Sequence, residues 1–527
     1  MTHRPRLLRS AFASATLVAA PLAAHAGGLV LPGTGPVSTG RAGAAVASVD
    51  DPTAIAINPA GLAGIHGTVI TLGLSLIDYH LTFDRQGTYD DVPDRDDPWE
   101  GQPFAPVTDQ SKPAIGFGHE QLVPVLAIAS DLGGAVKGLT VAAGVYAPNA
   151  YPTRSMGADY VLEDPNTPPP PTRYDIIEQN AAIVLPSVAA AYRINDKLDA
   201  GLRLSWGLAN IEATTYVWGL PNFEEWAGKD ARFHVKTKDN FVPTGSLGLR
   251  FRPTDSIELG ATWSSAIKVD SHGTGDNTPG SGNKFGDIPI QVVPVPDDMA
   301  ACAKGGTAEA LKACVTFQLP MTATLGGRWV RRDGAGHQVA DLELDVDWEN
   351  WKAASDYDIV IDGAASVGPP PNSPTIAIQE SLIKHNFKDT YSARLGGSWQ
   401  RAVGSGRLTL RGGVAYETKA ANTNWERADI DGAARTIVTA GASYQVAKWR
   451  FDVGGGAAIE PTRDQGTLCN PTSGTDEDPN CAGGPSVTGP DPVQPTVDSS
   501  AQAQSPFAAG TFQSGYALVL LGATTWF

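Results

Sequence analysis

Tyr516-Ala517-Leu518-Val519-Leu520-Leu521-Gly522-Ala523-Thr524-Thr525-Trp526-Phe527 is the stretch that decides the fold. A tilted β-strand needs about 9 to 11 residues to cross a bilayer, and a terminal aromatic on such a strand resembles the assembly signal of outer-membrane barrels. Phe527 is therefore expected to engage the barrel-assembly machinery. Period two places Tyr516, Leu518, Leu520, Gly522, Thr524 and Trp526 on the inward face. That face is largely apolar, unlike the lining of a water-filled pore.

Working outward, the first residues agree with export. Arg4, Arg6 and Arg9 precede an apolar run over 11–22 and then Ala24-His25-Ala26. These read as the basic, apolar and cleavage regions of a signal peptide over 1–26, used for Sec-type export. No stretch is long and apolar enough to read as a membrane helix. The formal net charge of −17 disfavours a nucleic-acid partner.

Strand-like runs fall near 67–84, 121–132, 138–151, 178–194, 197–213, 241–253, 256–270, 314–331, 337–350, 386–402, 406–419, 434–447, 448–460 and 511–527, about 14 in all. The gaps alternate. Short ones such as Asn195-Asp196, Thr254-Asp255 and Val403-Gly404-Ser405 are turn formers, while 86–112, 152–177, 271–313 and 461–510 are long and rich in Pro, Asp and Gly. Sorting of short turns to one rim and long loops to the other is the pattern of an outer-membrane barrel. The fold expected is all-β and transmembrane: an antiparallel barrel over 66–527, with residues 27–65 as a small amino-terminal hatch of short helices plugging the lumen. An irregular segment of that kind has no place against lipid. In it, Asp51-Pro52 offers a helix cap with proline at the first helical position.

Within 340–348, Leu342, Leu344, Val346 and Trp348 alternate with Asp341, Glu343, Asp345 and Asp347. The acids must face the lumen, because the other register puts four carboxylates in lipid. Arg328 and Arg394, on neighbouring runs, are expected to pair with this ladder or, alternatively, to meet a ligand. Arg250 and Arg411 also point inward by parity, and Arg411 is the preferred contact for a carboxylate head group.

Four cysteines form two close pairs, Cys302 with Cys314 and Cys469 with Cys481. Disulfides suit an oxidising compartment; neither pair has a neighbouring His or a CxxC spacing to recommend zinc. No cofactor or metal is expected. The scattered His residues and the lack of a GxSxG elbow offer no catalytic constellation, so an enzyme is not expected.

Gly40-Arg41-Ala42-Gly43, 50–54, Asn58-Pro59-Ala60-Gly61-Leu62, 318–326, Trp348-Glu349-Asn350-Trp351, 387–396, 410–416 and 439–444 appear in an order that resembles the FadL-type outer-membrane transporters of long-chain fatty acids and other hydrophobic compounds. The resemblance implies a 14-stranded barrel plugged by an amino-terminal hatch carrying Asn58, Pro59, Ala60 and Gly61. It further implies passive transport in a Gram-negative outer membrane: capture by outer loops, binding beside the hatch, and lateral release into lipid. Apolar ligands gain about 0.8 kcal/mol per CH₂ on leaving water, which favours apolar pockets over a wet pore. Loop capture residues are sought among Trp99, Phe104, Trp218, Leu220, Phe223 and Trp226, which alternatively serve only to fold the loops or to line the interface. The family places its wall opening in the third strand, where Pro148 lacks a ladder donor; a strand ending at the outer rim is the other reading. Long-chain fatty acids are the first expected substrate and aromatic hydrocarbons the second. A hydrophilic porin and a surface receptor or adhesin are the remaining rivals. Outer-membrane lipid is the expected environment, with the chain a monomer.

Overall fold

The computed structural model describes residues 33–465 and 510–527, apart from 113–115, 118, 149–152, 218–224, 303, 307–309, 369–372, 374, 378–380, 423–424 and 431. It is a closed antiparallel barrel of 14 strands. In chain order these are β1 (Thr68–Arg85), β2 (Glu120–Ser130), β3 (Leu139–Tyr146), β4 (Glu178–Asn195), β5 (Leu198–Val217), β6 (Ala231–Thr254), β7 (Ile257–Ser264, resuming as Ile267–Pro279), β8 (Leu311–Leu319, resuming as Thr322–Arg332), β9 (Gln338–Glu349, resuming as Asp356–Ile361), β10 (Ser381–Lys384, resuming as Thr390–Val403), β11 (Gly406–Glu417), β12 (Arg435–Val446), β13 (Trp449–Ile459) and β14 (Gly510–Trp526). Closure is made by β1 against β14, in register from Val69 opposite Trp526 to Arg85 opposite Gly510. A closed sheet leaves no unpaired edge facing lipid. No helix among the described residues is long and apolar enough to cross a membrane.

Strand faces follow period two. On β9, Leu342 and Leu344 are 50% and 52% exposed on the outside, while Glu343 and Asp345 are 0% and 1% exposed within. The pattern then inverts above the bilayer. On β5 the outward residues change from Leu204, Trp206 and Leu208 to Asn210 and Glu212; on β6 they change from Leu249, Leu247 and Phe241 to Lys238 and Lys236. At the same level the inward residues become apolar, Ile211 on β5 and Val235 on β6. The wall outside the membrane therefore has a polar exterior and an apolar interior, as a water-exposed barrel requires.

Several boundaries differ from the sequence expectation. β6 begins at Ala231 rather than near 241, because its outer half pairs with β5 and with the second half of β7 beyond the bilayer. β3 ends at Tyr146 rather than near 151, just before Pro148. Residues 33–65 lie inside the barrel and carry α1 (Gly35–Thr39), α2 (Ala54–Ile57) and a 3₁₀ turn, Pro59–Gly64. Helix α2 starts two residues later than the Asp51-Pro52 signal implies. The Asp51 carboxylate accepts from the Thr53 amide at 2.9 Å and pairs with Arg450 at 2.6 Å, so it organises a turn instead of capping a helix at Pro52. The segment 1–26 lies outside the described residues.

Candidate functional site

In the extracellular extension the inward apolar residues enclose a cavity. Ala181 and Ile183 of β4, Ile211 and Ala213 of β5, Phe233 and Val235 of β6, and Val315 and Phe317 of β8 line it. The space they bound is about 920 Å³ and is partly open to solvent. This size and composition suit a small hydrophobic molecule. The sequence carries a signal for this cavity between the runs near 197–213 and 241–253, where Phe233, Val235 and Thr237 alternate with His234, Lys236 and Lys238.

Two outer loops close the cavity from above, contributing Asp175 and Ile176 between β3 and β4, and Asp429 and Ile430 between β11 and β12. Arg427 pairs with Asp175, and the Ala428 amide donates to the same carboxylate. His385, fully buried, holds the Ser355 carbonyl at 2.9 Å through Nδ1 and Asp429 Oδ2 at 2.8 Å through Nε2. Phe387 stacks on its ring. Burial raises the Asp175 carboxyl to about 6 despite Arg427. Burial would raise Asp429 too, yet His385 and Arg427 hold it down at about 2. The cluster thus clasps three loops over the cavity mouth.

The third strand, β3, ends at Tyr146 beside this cavity. Tyr146 of β3 pairs with Leu185 of β4, the described residues 147 and 148 lie outside any strand, and the next pair among the described residues is Thr153 opposite Asn180. Six positions separate Tyr146 from Thr153 in the chain, against four between Leu185 and Asn180. Among the described residues none pairs with 181–184 from the β3 side, and two of those four, Ala181 and Ile183, line the cavity. Prolines surround the end of β3: Pro148 follows it, Pro124 stands on β2, and Pro186 on β4 coincides with a skip in the pairing to β5. None of them offers an amide to the ladder. Positions 181–184 lie level with Leu208 and Asn210, where the outer face turns from apolar to polar.

Below the cavity, residues 33–65 are bolted to the wall. Arg41 reaches Asp341 at 2.8 Å and Glu343 at 2.9 Å, and the Ala45 and Val46 amides donate to Asp345 at 2.8 and 3.0 Å. From the wall, Arg193, Arg203 and Arg250 donate to the carbonyls of Ala63, Ile55 and Val49. Glycines in the wall allow this approach. A Cβ on Gly201 would lie 2.3 Å from the Pro59 carbonyl carbon, and one on Gly413 would lie 2.2 Å from that of Arg41.

The sequence-derived candidates are distributed as follows. Arg394 pairs with Asp347 at 2.6 Å and Glu417 at 3.1 Å, and Arg328 with Asp341 at 2.9 Å, so both are occupied within the wall. The middle of the acidic ladder, Glu343 and Asp345, serves residues 41–47 rather than neighbouring strands alone. Arg411 donates to Ser443 and faces a separate polar cavity of about 480 Å³ between the wall and Arg41, Asp50 and Asp51. It does not line the apolar cavity. Asn58 bridges the Val46 and Leu249 carbonyls at 2.7 and 3.1 Å, and Pro59, Ala60 and Gly61 form the buried 3₁₀ turn. Phe104 is packed edge-on against Tyr89 beneath the Arg85 guanidinium and is only 8% exposed, so it is not presented for capture. Trp226 stands with Trp99 in a loop cleft, with Arg95 over its ring. Trp218, Leu220 and Phe223 lie outside the described residues, as do Cys469 and Cys481. Cys302 and Cys314 are joined in a disulfide.

Solved structures share this architecture. A Pseudomonas aeruginosa FadL homologue superposes with a TM-score of 0.66 at 15% identity, covering 95% of this chain and 100% of its own. The Ralstonia pickettii toluene transporter TbuX gives 0.56 at 15% identity, with 94% and 99% covered. The Pseudomonas putida toluene transporter TodX gives 0.58 at 13%, also with 94% and 99% covered. At these identities the likeness speaks for the fold. A sequence comparison with curated proteins matches none. The model of the outer membrane protein transport protein family (OMPP1/FadL/TodX) matches residues 17–456, and the chain belongs to that family: a Gram-negative outer-membrane barrel that transports hydrophobic compounds and is not an enzyme.

Proposed function

We propose that the chain takes up hydrophobic small molecules passively through the apolar cavity, with residues 33–65 acting as the hatch that seals the lumen below, and releases them sideways beside the end of β3. The observation that carries this reading is that β3 ends at Tyr146, opposite Leu185, next to Ala181 and Ile183 of β4, which line the cavity. A desolvated ligand leaving there reaches the outer leaflet without crossing water, which keeps the transfer energy of each buried methylene. Long-chain fatty acids and aromatic hydrocarbons, such as the toluene carried by TodX and TbuX, both have the apolar surface that these walls take up.

The experiment is saturable binding of a radiolabelled long-chain fatty acid and a radiolabelled aromatic hydrocarbon to the purified barrel, each competed by the other, followed by uptake into cells that express it. Binding and uptake of at least one ligand are expected. Absence of both would favour a porin or a surface receptor.

A further inference from the structure

The apolar cavity has one polar end, and that end is acidic. Among its described lining residues the titratable groups are Asp175, Asp429 and Tyr357; no Lys, Arg or His is among them. The basic side chains behind them, Arg427 and His385, are already engaged. Arg427 reaches Asp175 and, at 3.6 Å, Asp429, while His385 presents one ring nitrogen to Asp429 and the other to a carbonyl. Two carboxylates thus stand in the lining with their partners Arg427 and His385 outside it, and no positively charged side chain lines the cavity to meet a guest.

A carboxylate entering such a cavity loses its hydration and meets like charge. Both effects disfavour its ionised form. A hydroxyl or an ester loses less on desolvation and finds acceptors or the Tyr357 phenol at the polar end. The three arginines first sought as head-group partners do not change this. Arg328 and Arg394 are paired within the wall, and Arg411 opens on the polar cavity beside the hatch.

We propose that Asp175 and Asp429 make this cavity select uncharged hydrophobic molecules over carboxylates, so that its substrates are hydrocarbons, alcohols or esters rather than fatty acid anions. This inference rests on the cavity being the ligand site of a transporter. The two residues act as specificity determinants through charge.

The test compares dodecanol with dodecanoate, equal in chain length, binding to the full barrel in lipid nanodiscs at neutral pH. The wild type is expected to bind dodecanol about tenfold or more tightly, and Asp175→Asn combined with Asp429→Asn is expected to bring the ratio to within about threefold. Because the double variant removes partners of His385 and Arg427, Gln179→Lys provides a second route: it adds a cation to the cavity wall and should strengthen dodecanoate binding alone. Equal affinities in the wild type, or tighter dodecanoate binding, would overturn the selectivity while leaving the transport reading in place. An unchanged ratio in folded variants would overturn the assignment to these residues. Binding of neither ligand would overturn both.

Discussion

Arg41 Nη2 lies 2.9 Å from Glu343 Oε2, and both side chains are buried, so an ion pair joins the amino-terminal segment to the barrel wall. The same guanidinium also reaches Asp341 at 2.8 Å. Removing one partner of a buried pair strands the other charge, at a cost of about 3 to 5 kcal/mol. Arg41→Ala is expected to loosen the hatch without unfolding the barrel. Planar-bilayer recordings should show higher or noisier ion conductance than the wild type, and an identical quiet trace would remove Arg41 as an anchor.

The hatch also requires bare backbone on the wall. Gly413→Leu directs a side chain into the Arg41 carbonyl group, whereas its neighbour Gly412 is exposed on the lipid side, where a Cβ meets nothing closer than 3.8 Å. Gly413→Leu is expected to displace residues 40–43 and raise conductance. Gly412→Leu is expected to leave conductance unchanged. Equal behaviour of the two variants would contradict the seating of the hatch.

Release beside the end of β3 is tested by equalising the chain lengths of the two strands. Deleting Asn149 and Ala150 leaves four residues between Tyr146 and Thr153, matching the four of β4 at 181–184. Such a variant is expected to bind ligand and to lose most of its uptake. Full uptake would place the exit elsewhere.

Loop packing above the cavity carries a pH dependence. Arg173 Nε donates to Asp230 at 2.9 Å and the Tyr174 hydroxyl donates at 2.8 Å, yet burial pushes the Asp230 carboxyl up to about 6 from its ordinary 3.8. Between those values the folded state binds more protons than the unfolded state. Stability from this group is therefore complete below 3.8 and is lost as the pH rises through about 6. Hydrogen exchange at 172–177 should quicken beyond its intrinsic pH dependence across that window, and Asp230→Asn should flatten the change. A flat wild-type profile would contradict the assignment.

The barrel was legible because lipid enforces period two: 341–347 admits only one register, and turn-forming pairs such as Asn195-Asp196 mark one rim. The cavity was less legible. Its walls lie where the pattern inverts above the membrane, so Phe233 and Val235 sit in a stretch whose Lys236 and Lys238 look like loop. The lid was not legible, since Asp175 and Asp429 are 254 positions apart in the chain and meet only through loop packing. The double use of Glu343 and Asp345, as wall ladder and hatch anchor, was hidden for the same reason. The end of β3 at Tyr146, two positions before Pro148, and its partner Leu185 emerge only from pairing with β4.

Occupancy of the apolar cavity is the central claim, and filling it is the most direct measurement. Ala213 lines the cavity with a small side chain, so Ala213→Trp should occupy the space while the barrel keeps its heat-modifiable migration. Radiolabelled dodecanol should bind the wild type saturably and fail to bind this variant. Undiminished binding to a folded Ala213→Trp barrel would contradict the account.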